Sequence, residues 1–425
     1  MSDPTDPLDF DSLAVHAGRG DFRALGVHAP PIDLSTTYPF ASLGAAVGSL
    51  DAMMAGGGPT ADGGSVYSRL HAPTAARFEA GLAALERTEA SVAFASGMAA
   101  ITAAILAAAA PPPGGGPGKR HVVGVRPIYG TTDKLLASGL LGTTVTWTDE
   151  AGVAAAIRPD TGLVCIETPV NPTLDLVDVA AVVAAAGGPA EAGGVPVMVD
   201  STFASPVLQQ PALLGAALVM HSGTKYLGGH GDVLAGVIAC SEAWAARLRV
   251  VRILTGAVVH PLAAYLLHRG LPTLGLRVRR AQETATDLAA RLDAHPGVGR
   301  VYHPSLPGRD PRGLVGAGRQ MSGPGPMLAF EVLGTDGRAT GDGAFRTADA
   351  FLQALRLVTP AVSLGSTDTL AQHPAGLTQR VSTQRVQSGA AGTITEGLVR
   401  VSVGLEDAAD LWADLGQALD AAGRR

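Results

Sequence analysis

Short apolar runs rich in valine and isoleucine alternate with alanine- and leucine-rich stretches between about residues 75 and 250. The apolar runs occupy residues 121–125, 143–147, 163–167, 195–200, 217–221 and 234–240. Most of the intervening stretches, such as 177–187, have the composition of helices. Because apolar strands that alternate with helices form parallel sheets with both faces covered, the pattern predicts an α/β fold with a mostly parallel sheet.

The pattern changes on both sides of this region. Residues 1 to about 65 contain turn-forming clusters and predict an irregular, extended arm. A helical stretch over about 262–295 is followed by isolated strand patterns at 327–332 and 399–403, which predict a smaller α+β domain. We therefore expect an N-terminal arm, a large domain that carries the functional site and a small C-terminal domain, at residues 1–72, 73–273 and 274–425.

Composition argues against some classes of function. The net charge of −6 disfavours a surface that binds nucleic acid. The longest apolar stretch, residues 99–110, is shorter than the roughly 20 residues that cross a bilayer, and the acidic N-terminus lacks the apolar run of a signal peptide. Cys165 and Cys240 lie in apolar runs and are expected to be buried and reduced. The sequence therefore predicts a cytoplasmic protein that binds neither nucleic acid nor membranes.

The segment HSGTKYLGGHGD, residues 221–232, contains one of only three lysines, Lys225; the others are Lys119 and Lys134. Lysine differs chemically from the arginines that supply the other fixed positive charges, because its amine can lose a proton and act as a nucleophile. His221 and His230 flank Lys225, but their spacing fits no usual zinc site, so no metal is predicted. We interpret Lys225 as a candidate catalytic amine.

Other polar residues follow the ends of predicted strands. Asp200 ends the run 195–200, Asn171 follows 163–167, and Ser96 and Gly97 follow an apolar run at 91–95 and begin a helix. In open α/β sheets ligands bind at the carboxyl ends of the strands. These side chains are therefore expected to lie around one ligand site with Lys225.

A lysine that forms a Schiff base with pyridoxal phosphate needs several partners, and this sequence supplies them. A buried carboxylate such as Asp200 can keep the pyridine nitrogen protonated, and the ring of Tyr129 can stack on the cofactor. Phosphate binds hydroxyls and the amides of a helix N-terminus, with an arginine for its charge. Such groups are available from Ser222, Thr224, Gly97, Met98 and Arg69.

The order of these residues resembles the trans-sulfuration, or Cys/Met metabolism, family of fold-type-I pyridoxal-phosphate enzymes. The family includes methionine γ-lyase, cystathionine γ-lyase, cystathionine γ-synthase and O-acylhomoserine sulfhydrylase. Matching stretches span nearly the whole chain and include YSRLHAPT (67–74), ASGMAAI (95–101), ETPVNPTL (167–174), AVSLGSTDTLAQHP (361–374) and EGLVRVSVGLED (396–407). The resemblance implies pyridoxal 5'-phosphate as cofactor and a homotetramer, built as a dimer of dimers with sites shared across each dimer.

The resemblance also implies a role for each matching residue. Lys225 would carry the cofactor, Asp200 would bind the pyridine nitrogen, and Tyr129 would stack on the ring and transfer protons. The other residues expected to contact the cofactor are Gly97, Met98, Asn171, Thr202, Ser222 and Thr224 of the same subunit, with Tyr67 and Arg69 reaching the phosphate of a neighbouring subunit. The carboxylate of an amino-acid substrate would bind Arg400, helped by Asn171 and Ser363.

The same catalytic groups serve two reactions. After the substrate loses its α-proton and a γ-substituent, α,γ-elimination gives a 2-oxo acid and ammonia, whereas γ-replacement adds a nucleophile. The stretches 361–378 and 396–419 are most similar to methionine γ-lyases and favour a C–S or C–X γ-lyase that acts on a sulfur-containing or γ-substituted amino acid. A γ-replacement transferase and a non-catalytic scaffold that binds pyridoxal phosphate are the alternatives.

Several residues depart from the methionine γ-lyase pattern. Thr131 replaces a cysteine, Arg252 and Ile253 replace a Lys-Asp pair, Asp368 replaces a glutamate, and Gln379 replaces a histidine. These positions are expected to face the substrate, and Arg252 is expected to make the entrance more positive. The sequence therefore predicts that methionine is a poor substrate compared with homoserine derivatives that carry a polar or anionic γ-substituent.

Overall fold

The structure is a computed structural model that describes residues 8–111, 115–378 and 394–423. Its α-helices are α1 (Phe10–His16), α2 (Phe22–Leu25), α3 (Leu43–Met54), α4 (Pro73–Glu86), α5 (Gly97–Ala109), α6 (Gly130–Ala137), α7 (Val153–Ala156), α8 (Val179–Ala185), α9 (Ser205–Leu208), α10 (Glu242–Thr255), α11 (Pro261–Gly270), α12 (Leu274–Asp293), α13 (Gly341–Ala354) and α14 (Ala408–Ala422). Short 3₁₀ turns occupy Ala190–Ala192, Pro211–Leu214 and Leu271–Thr273.

The strands form two sheets. They are β1 (Ala90–Phe94), β2 (His121–Val125), β3 (Thr144–Thr148), β4 (Thr161–Glu167), β5 (Val197–Asp200), β6 (Leu218–Ser222), β7 (Gly236–Cys240), β8 (Val298–Tyr302), β9 (Met327–Val332), β10 (Thr359–Pro360), β11 (Leu370–Gln372) and β12 (Leu398–Ser402). Strands β1 to β7 form a sheet in the order β1-β7-β6-β5-β4-β2-β3, and the other five form a sheet in the order β10-β11-β12-β9-β8.

The larger sheet confirms the prediction of a mostly parallel α/β architecture. Strands β2 to β6 pair in parallel, whereas β7 pairs antiparallel with both β6 and β1. Every residue of β1, β2, β4 and β7 is buried, which explains why these segments are continuous apolar runs. Helices α5 and α10 cover one face with Ile101, Ile105 and Leu248, and α7 and α8 cover the other with Val153 and Val182.

The smaller sheet packs against α12, α13 and α14. Its central strands β9 and β12 coincide with the two strand patterns found in the sequence, and they pair antiparallel. The sequence pattern missed β8, β10 and β11, because each is short or partly polar and exposed; β10, for example, has only two residues and both are exposed. The division of the chain at residues 72 and 273 stays a prediction.

The arm is more regular than the sequence predicted. It contains α1, α2 and the 12-residue helix α3. The hydroxyl oxygen of Ser42 accepts a hydrogen bond from the Ala45 N–H at 3.2 Å and caps the N-terminus of α3. Near the other end of the helix, the side chain of Met53 is buried. The expectation of an irregular arm was wrong, because glycines and turn clusters around α3 masked a capped helix.

Within the described residues, no helix has both the length and the apolar character needed to cross a membrane. Cys165 and Cys240 are buried and form no disulfide. The parallel strands end at one edge of the larger sheet. Glu167, Asp200 and Ser222 are the last residues of β4, β5 and β6, and Tyr129 follows the end of β2. This edge therefore brings together several of the residues that the sequence identified.

Candidate active site

A cavity of about 460 Å³ lies between this edge of the larger sheet and β12 of the smaller one. Most of the residues identified in the sequence line it, namely Gly97, Met98, Tyr129, Asn171, Asp200, Thr202, Ser222, Thr224, Lys225, Ser363 and Arg400. Residues distant in the sequence meet here because the smaller sheet approaches the carboxyl ends of the parallel strands. The cavity is large enough for a small ligand.

Lys225 lies in the turn that follows β6. Thr224 closes this turn, since its hydroxyl donates to the Ala235 carbonyl at 3.2 Å and accepts from the Ala235 N–H at 3.0 Å. The Lys225 amine donates to the hydroxyl oxygen of Ser363 at 2.6 Å. Ser363 has a φ of +92°, a conformation that is costly for a residue with a Cβ. The residue that accepts a hydrogen bond from the Lys225 amine is therefore held in a strained backbone conformation.

Burial and, to a smaller extent, the positive charge of Arg400 together lower the pKa of the Lys225 amine to about 8. A substantial fraction of the amine is consequently neutral near pH 8 and able to act as a nucleophile. An exposed lysine amine, with a pKa of about 10.4, would be almost entirely protonated at that pH.

This shift predicts the pH dependence of Lys225 reactivity. In cofactor-free protein treated with a trace of acetic anhydride, labelling of Lys225 should rise with pH and reach half its maximum near pH 8, because only the neutral amine reacts. Lys119 and Lys134 are exposed and serve as internal references in the same peptide mass map. If Lys225 followed the same profile as the two exposed lysines, the inferred shift would be wrong.

Asp200, the last residue of β5, is fixed by Thr202. The N–H and the hydroxyl of Thr202 both donate to one carboxylate oxygen of Asp200, at 3.1 and 2.5 Å. Burial raises the pKa of Asp200, while the Thr202 hydrogen bonds and His221 oppose that rise. His221 is itself buried and paired with Glu86 at 2.5 Å between Nε2 and Oε1. A cationic ligand group would stabilise the ionised form of Asp200.

Arg400 lies in β12, at the opposite wall of the cavity, and is only 4% exposed. Its guanidinium donates to the Asn171 side-chain oxygen at 2.9 Å, to the Ser363 carbonyl at 2.7 Å and to the Gln372 side-chain oxygen at 2.6 Å. Nε has no hydrogen-bond partner among the described residues. Burial lowers the pKa of Arg400 to about 10, so it is still a cation at neutral pH. Such a group can bind the carboxylate of a substrate.

Sequence reasoning missed two residues that contact this network. Gln372 orients Arg400 and lies in the stretch AQHP, but nothing in the sequence distinguished it from a surface amide. Glu167 is buried at the end of β4 and accepts hydrogen bonds from the N–H groups of Tyr129 and Asn171. A carboxylate at the end of an apolar strand, as at Asp200, was a signal that could have identified it.

The comparisons with known proteins agree with this geometry. A family model described as Cys/Met metabolism PLP-dependent enzyme matches residues 11–420. The L-methionine gamma-lyase of Brevibacterium aurantiacum is 53% identical over 412 residues, which cover 97% of this chain and 94% of that protein. This chain belongs to the Cys/Met metabolism family of pyridoxal-phosphate-dependent enzymes.

Other relatives support the same family assignment. The L-methionine gamma-lyase of Streptomyces avermitilis is 51% identical over 409 residues, which cover 96% of this chain and 88% of that protein. The crystal structure of a cystathione gamma lyase from Micromonospora echinospora has a TM-score of 0.81 and 38% identity, and covers 97% of this chain and 99% of its own. These matches confirm the predicted family, its fold-type-I architecture, the pyridoxal phosphate cofactor and the classification as a γ-lyase.

The residues of the cavity fit this cofactor of the Cys/Met metabolism family. Helix α5 begins at Gly97, and its first amides lack partners within the helix, as a phosphate site requires. A Cβ at Gly97 would lie 3.1 Å from the Met220 side chain and 3.3 Å from Ser222, so glycine leaves room that a larger residue would fill. The buried carboxyl of Asp200 suits a protonated pyridine nitrogen, and the neutral amine of Lys225 suits the aldehyde.

Tyr67 and Arg69 do not line the cavity of their own chain. Arg69 donates from Nη1 to the Ile253 carbonyl at 2.9 Å, and Tyr67 is 43% exposed. Both lie where the arm meets the large domain. Their predicted contact with the phosphate of a neighbouring subunit therefore stays a prediction.

The expectation that the departures from the methionine γ-lyase pattern face the substrate was wrong for Arg252 and Ile253. Arg252 is buried and pairs with Glu79 at 2.5 Å, and Ile253 packs against Met53 and Leu70. Arg252 therefore cannot make the entrance more positive. Two further departures, Thr131 and Asp368, are exposed outside the cavity lining, while Gln379 lies outside the described residues.

Proposed function

We propose that this member of the Cys/Met metabolism family catalyses α,γ-elimination from L-methionine, giving a 2-oxo acid, ammonia and methanethiol. The observation that carries the proposal is a single cavity that contains a partly neutral lysine amine, a buried carboxylate and a buried guanidinium. The similarity to L-methionine gamma-lyases over 97% of the chain supports this choice of substrate. The burial of Arg252 removes a reason to expect discrimination against methionine.

When bound, pyridoxal phosphate supplies an electron sink that makes the α- and β-protons of the substrate acidic. In our proposal Asp200 would keep the pyridine nitrogen protonated, and Ser222 with the first amides of α5 would bind the phosphate. Lys225 then removes the proton at Cα and moves a proton at Cβ. Its position beside the Ser363 hydroxyl suits this task, because that hydrogen bond fixes the amine within the cavity.

Arg400 orients the substrate. Its guanidinium is fixed on one side by Asn171 and Gln372, and a substrate carboxylate can take up the remaining donors. Lys225 and Arg400 both donate hydrogen bonds to Ser363, so in our proposal a carboxylate bound to Arg400 brings Cα within reach of Lys225. Tyr129 lines the same cavity and is 40% exposed, and in our proposal its hydroxyl delivers a proton to the departing sulfur.

A substrate panel tests this function. Methionine, homocysteine, cystathionine, cysteine and O-acylhomoserines should be compared by kcat/KM for 2-oxo acid release, with and without an added thiol. We expect methionine to be turned over without any added thiol, with 2-oxo acid and methanethiol formed in equal amounts. One or two altered contacts in a pocket change specificity by about 10–200-fold, so the assay must resolve differences of that size.

Three results would contradict the proposal. If O-acylhomoserines react only when a thiol is present, the chain is a γ-replacement transferase. If the kcat/KM of a homoserine derivative with an anionic γ-substituent exceeds that of methionine by more than about 200-fold, the prediction from the sequence that methionine is a poor substrate is correct. Absence of 2-oxo acid from every compound, with cofactor bound, would support the non-catalytic scaffold.

We also propose that the enzyme works in the cytoplasm as a homotetramer, built from dimers that share their sites. Free, buried cysteines suit a reducing compartment. Apolar side chains exposed on the arm would be covered by a second subunit, namely Leu34, Phe40, Leu43, Val47 and Met54. The neighbouring Arg69 would then reach the partner's phosphate.

A further inference from the structure

Glu167 occupies the end of β4, lines the cavity and has no part in the reaction as proposed. One of its carboxylate oxygens accepts a hydrogen bond from the Tyr129 N–H at 2.5 Å. The other accepts from the Asn171 N–H at 2.7 Å. A single side chain therefore fixes the backbone of two segments that are 42 residues apart in the sequence.

Each of these segments carries a group that faces the cavity. Tyr129 immediately precedes α6, and no side chain caps that helix. Asn171 uses its side-chain oxygen to accept from Arg400 at 2.9 Å. A shift of Glu167 would therefore move the aromatic ring and, through Asn171, the guanidinium.

A carboxylate suits this position better than an amide, because only a carboxylate offers two accepting oxygens. An ionised carboxylate is nevertheless energetically costly at this buried position. The register of β4 and β5 pairs Glu167 with Asp200, and burial together with the negative charge of Asp200 raises the pKa of Glu167. The N–H donors of Asn171 and Tyr129 and the positive charge of Arg400 lower the pKa of Glu167. The other titratable groups that line the cavity are Tyr129 and Lys225.

We propose that Glu167 is a positioning residue, which sets the distance between the Tyr129 ring and the Arg400 guanidinium by binding the backbone of Tyr129 and Asn171. The inference rests on the proposed function, because the roles of Tyr129 and Arg400 come from it. In this arrangement Glu167 touches neither the substrate nor the reacting atoms.

Glu167→Gln is the first test, because it preserves size but replaces one accepting oxygen with an NH₂ group that cannot accept. We expect kcat for methionine to fall roughly 10- to 100-fold, the scale of a misplacement of about 1 Å. The Kd of cofactor-free protein for pyridoxal phosphate should also rise, because the stacking ring is no longer fixed. The control Glu331→Gln alters another strand glutamate, which accepts from Tyr302 outside the cavity, and should leave both constants unchanged.

A double-mutant cycle separates positioning from a general loss of stability. If Glu167 acts through Tyr129, Glu167→Gln should cost much less kcat in a Tyr129→Phe background than in the wild type. Equal losses in the two backgrounds, or a Glu167→Gln protein with wild-type kcat and Kd, would overturn the inference. Should Glu167→Gln fail to fold, Glu167→Asp keeps both oxygens on a shorter side chain; wild-type constants in that variant would also overturn it.

The Kd measurement keeps this inference distinct from the proposed function. If Tyr129→Phe has wild-type kcat, the proton-transfer role of Tyr129 fails. A raised Kd in Glu167→Gln would still support the positioning of the ring, since cofactor binding does not depend on which substrate reacts.

Discussion

Replacing Lys225 by alanine is expected to abolish turnover of every substrate, a loss of at least about 10⁴-fold, the upper end for one general acid–base group. The described part of the chain offers no substitute amine in the cavity, because Lys119 and Lys134 are exposed and lie outside its lining. The measurement is 2-oxo acid release, followed by borohydride reduction and peptide mass mapping. In the wild type the cofactor should be found on the peptide that contains Lys225.

Lys134→Ala is the matched control. It removes the same side chain from an exposed position in α6 and should retain wild-type activity and cofactor content. Finding the cofactor on Lys119 or Lys134 would show that Lys225 had been misassigned. Cofactor content and activity must therefore be measured on the same preparations.

Arg69→Ala is also expected to be inactive by itself, and mixing it with Lys225→Ala should restore activity. The reason is the position of Arg69, which contacts the Ile253 carbonyl and not its own cavity. If it serves the partner subunit, each mixed dimer has one site with both residues intact. Random mixing makes half of the dimers mixed, so about a quarter of all sites should be active.

The control for this experiment is Arg279→Ala. Arg279 pairs with Asp11 on the surface, and its side chain is 42% exposed, so the variant should retain its activity without mixing. Mixed dimers should be isolated with two different affinity tags before assay. Verified mixed dimers without activity would show that Arg69 does not act across the subunit interface.

Much of this enzyme was predictable from local sequence patterns. The run 121–125 coincides with β2, and the other predicted strands of the larger sheet differ from the observed bounds by one or two residues. Most of these strands are buried on both faces, so most of their residues are apolar and the pattern is strong; the edge strand β3, which is only partly buried, is the exception. The candidate residues at strand ends were predictable for the same reason, since parallel strands place their carboxyl ends at one edge.

The local sequence could not reveal contacts between segments that are far apart. Arg252 was expected to face the substrate, but its partner Glu79 lies 173 residues earlier and keeps it buried away from the cavity. Glu167 accepts a hydrogen bond from the N–H of Tyr129, which lies 38 residues earlier, so its role is not visible in the local sequence.

The sequence by itself determined the strand and helix periodicity of the large domain, the family and the cofactor, because these depend on local patterning and on motifs of fixed spacing. Only the tertiary structure decided which polar residues share the cavity and which are buried in ion pairs elsewhere. The physical reason is that the cost of burying a charge depends on the partner it meets, and that partner is set by packing between distant segments.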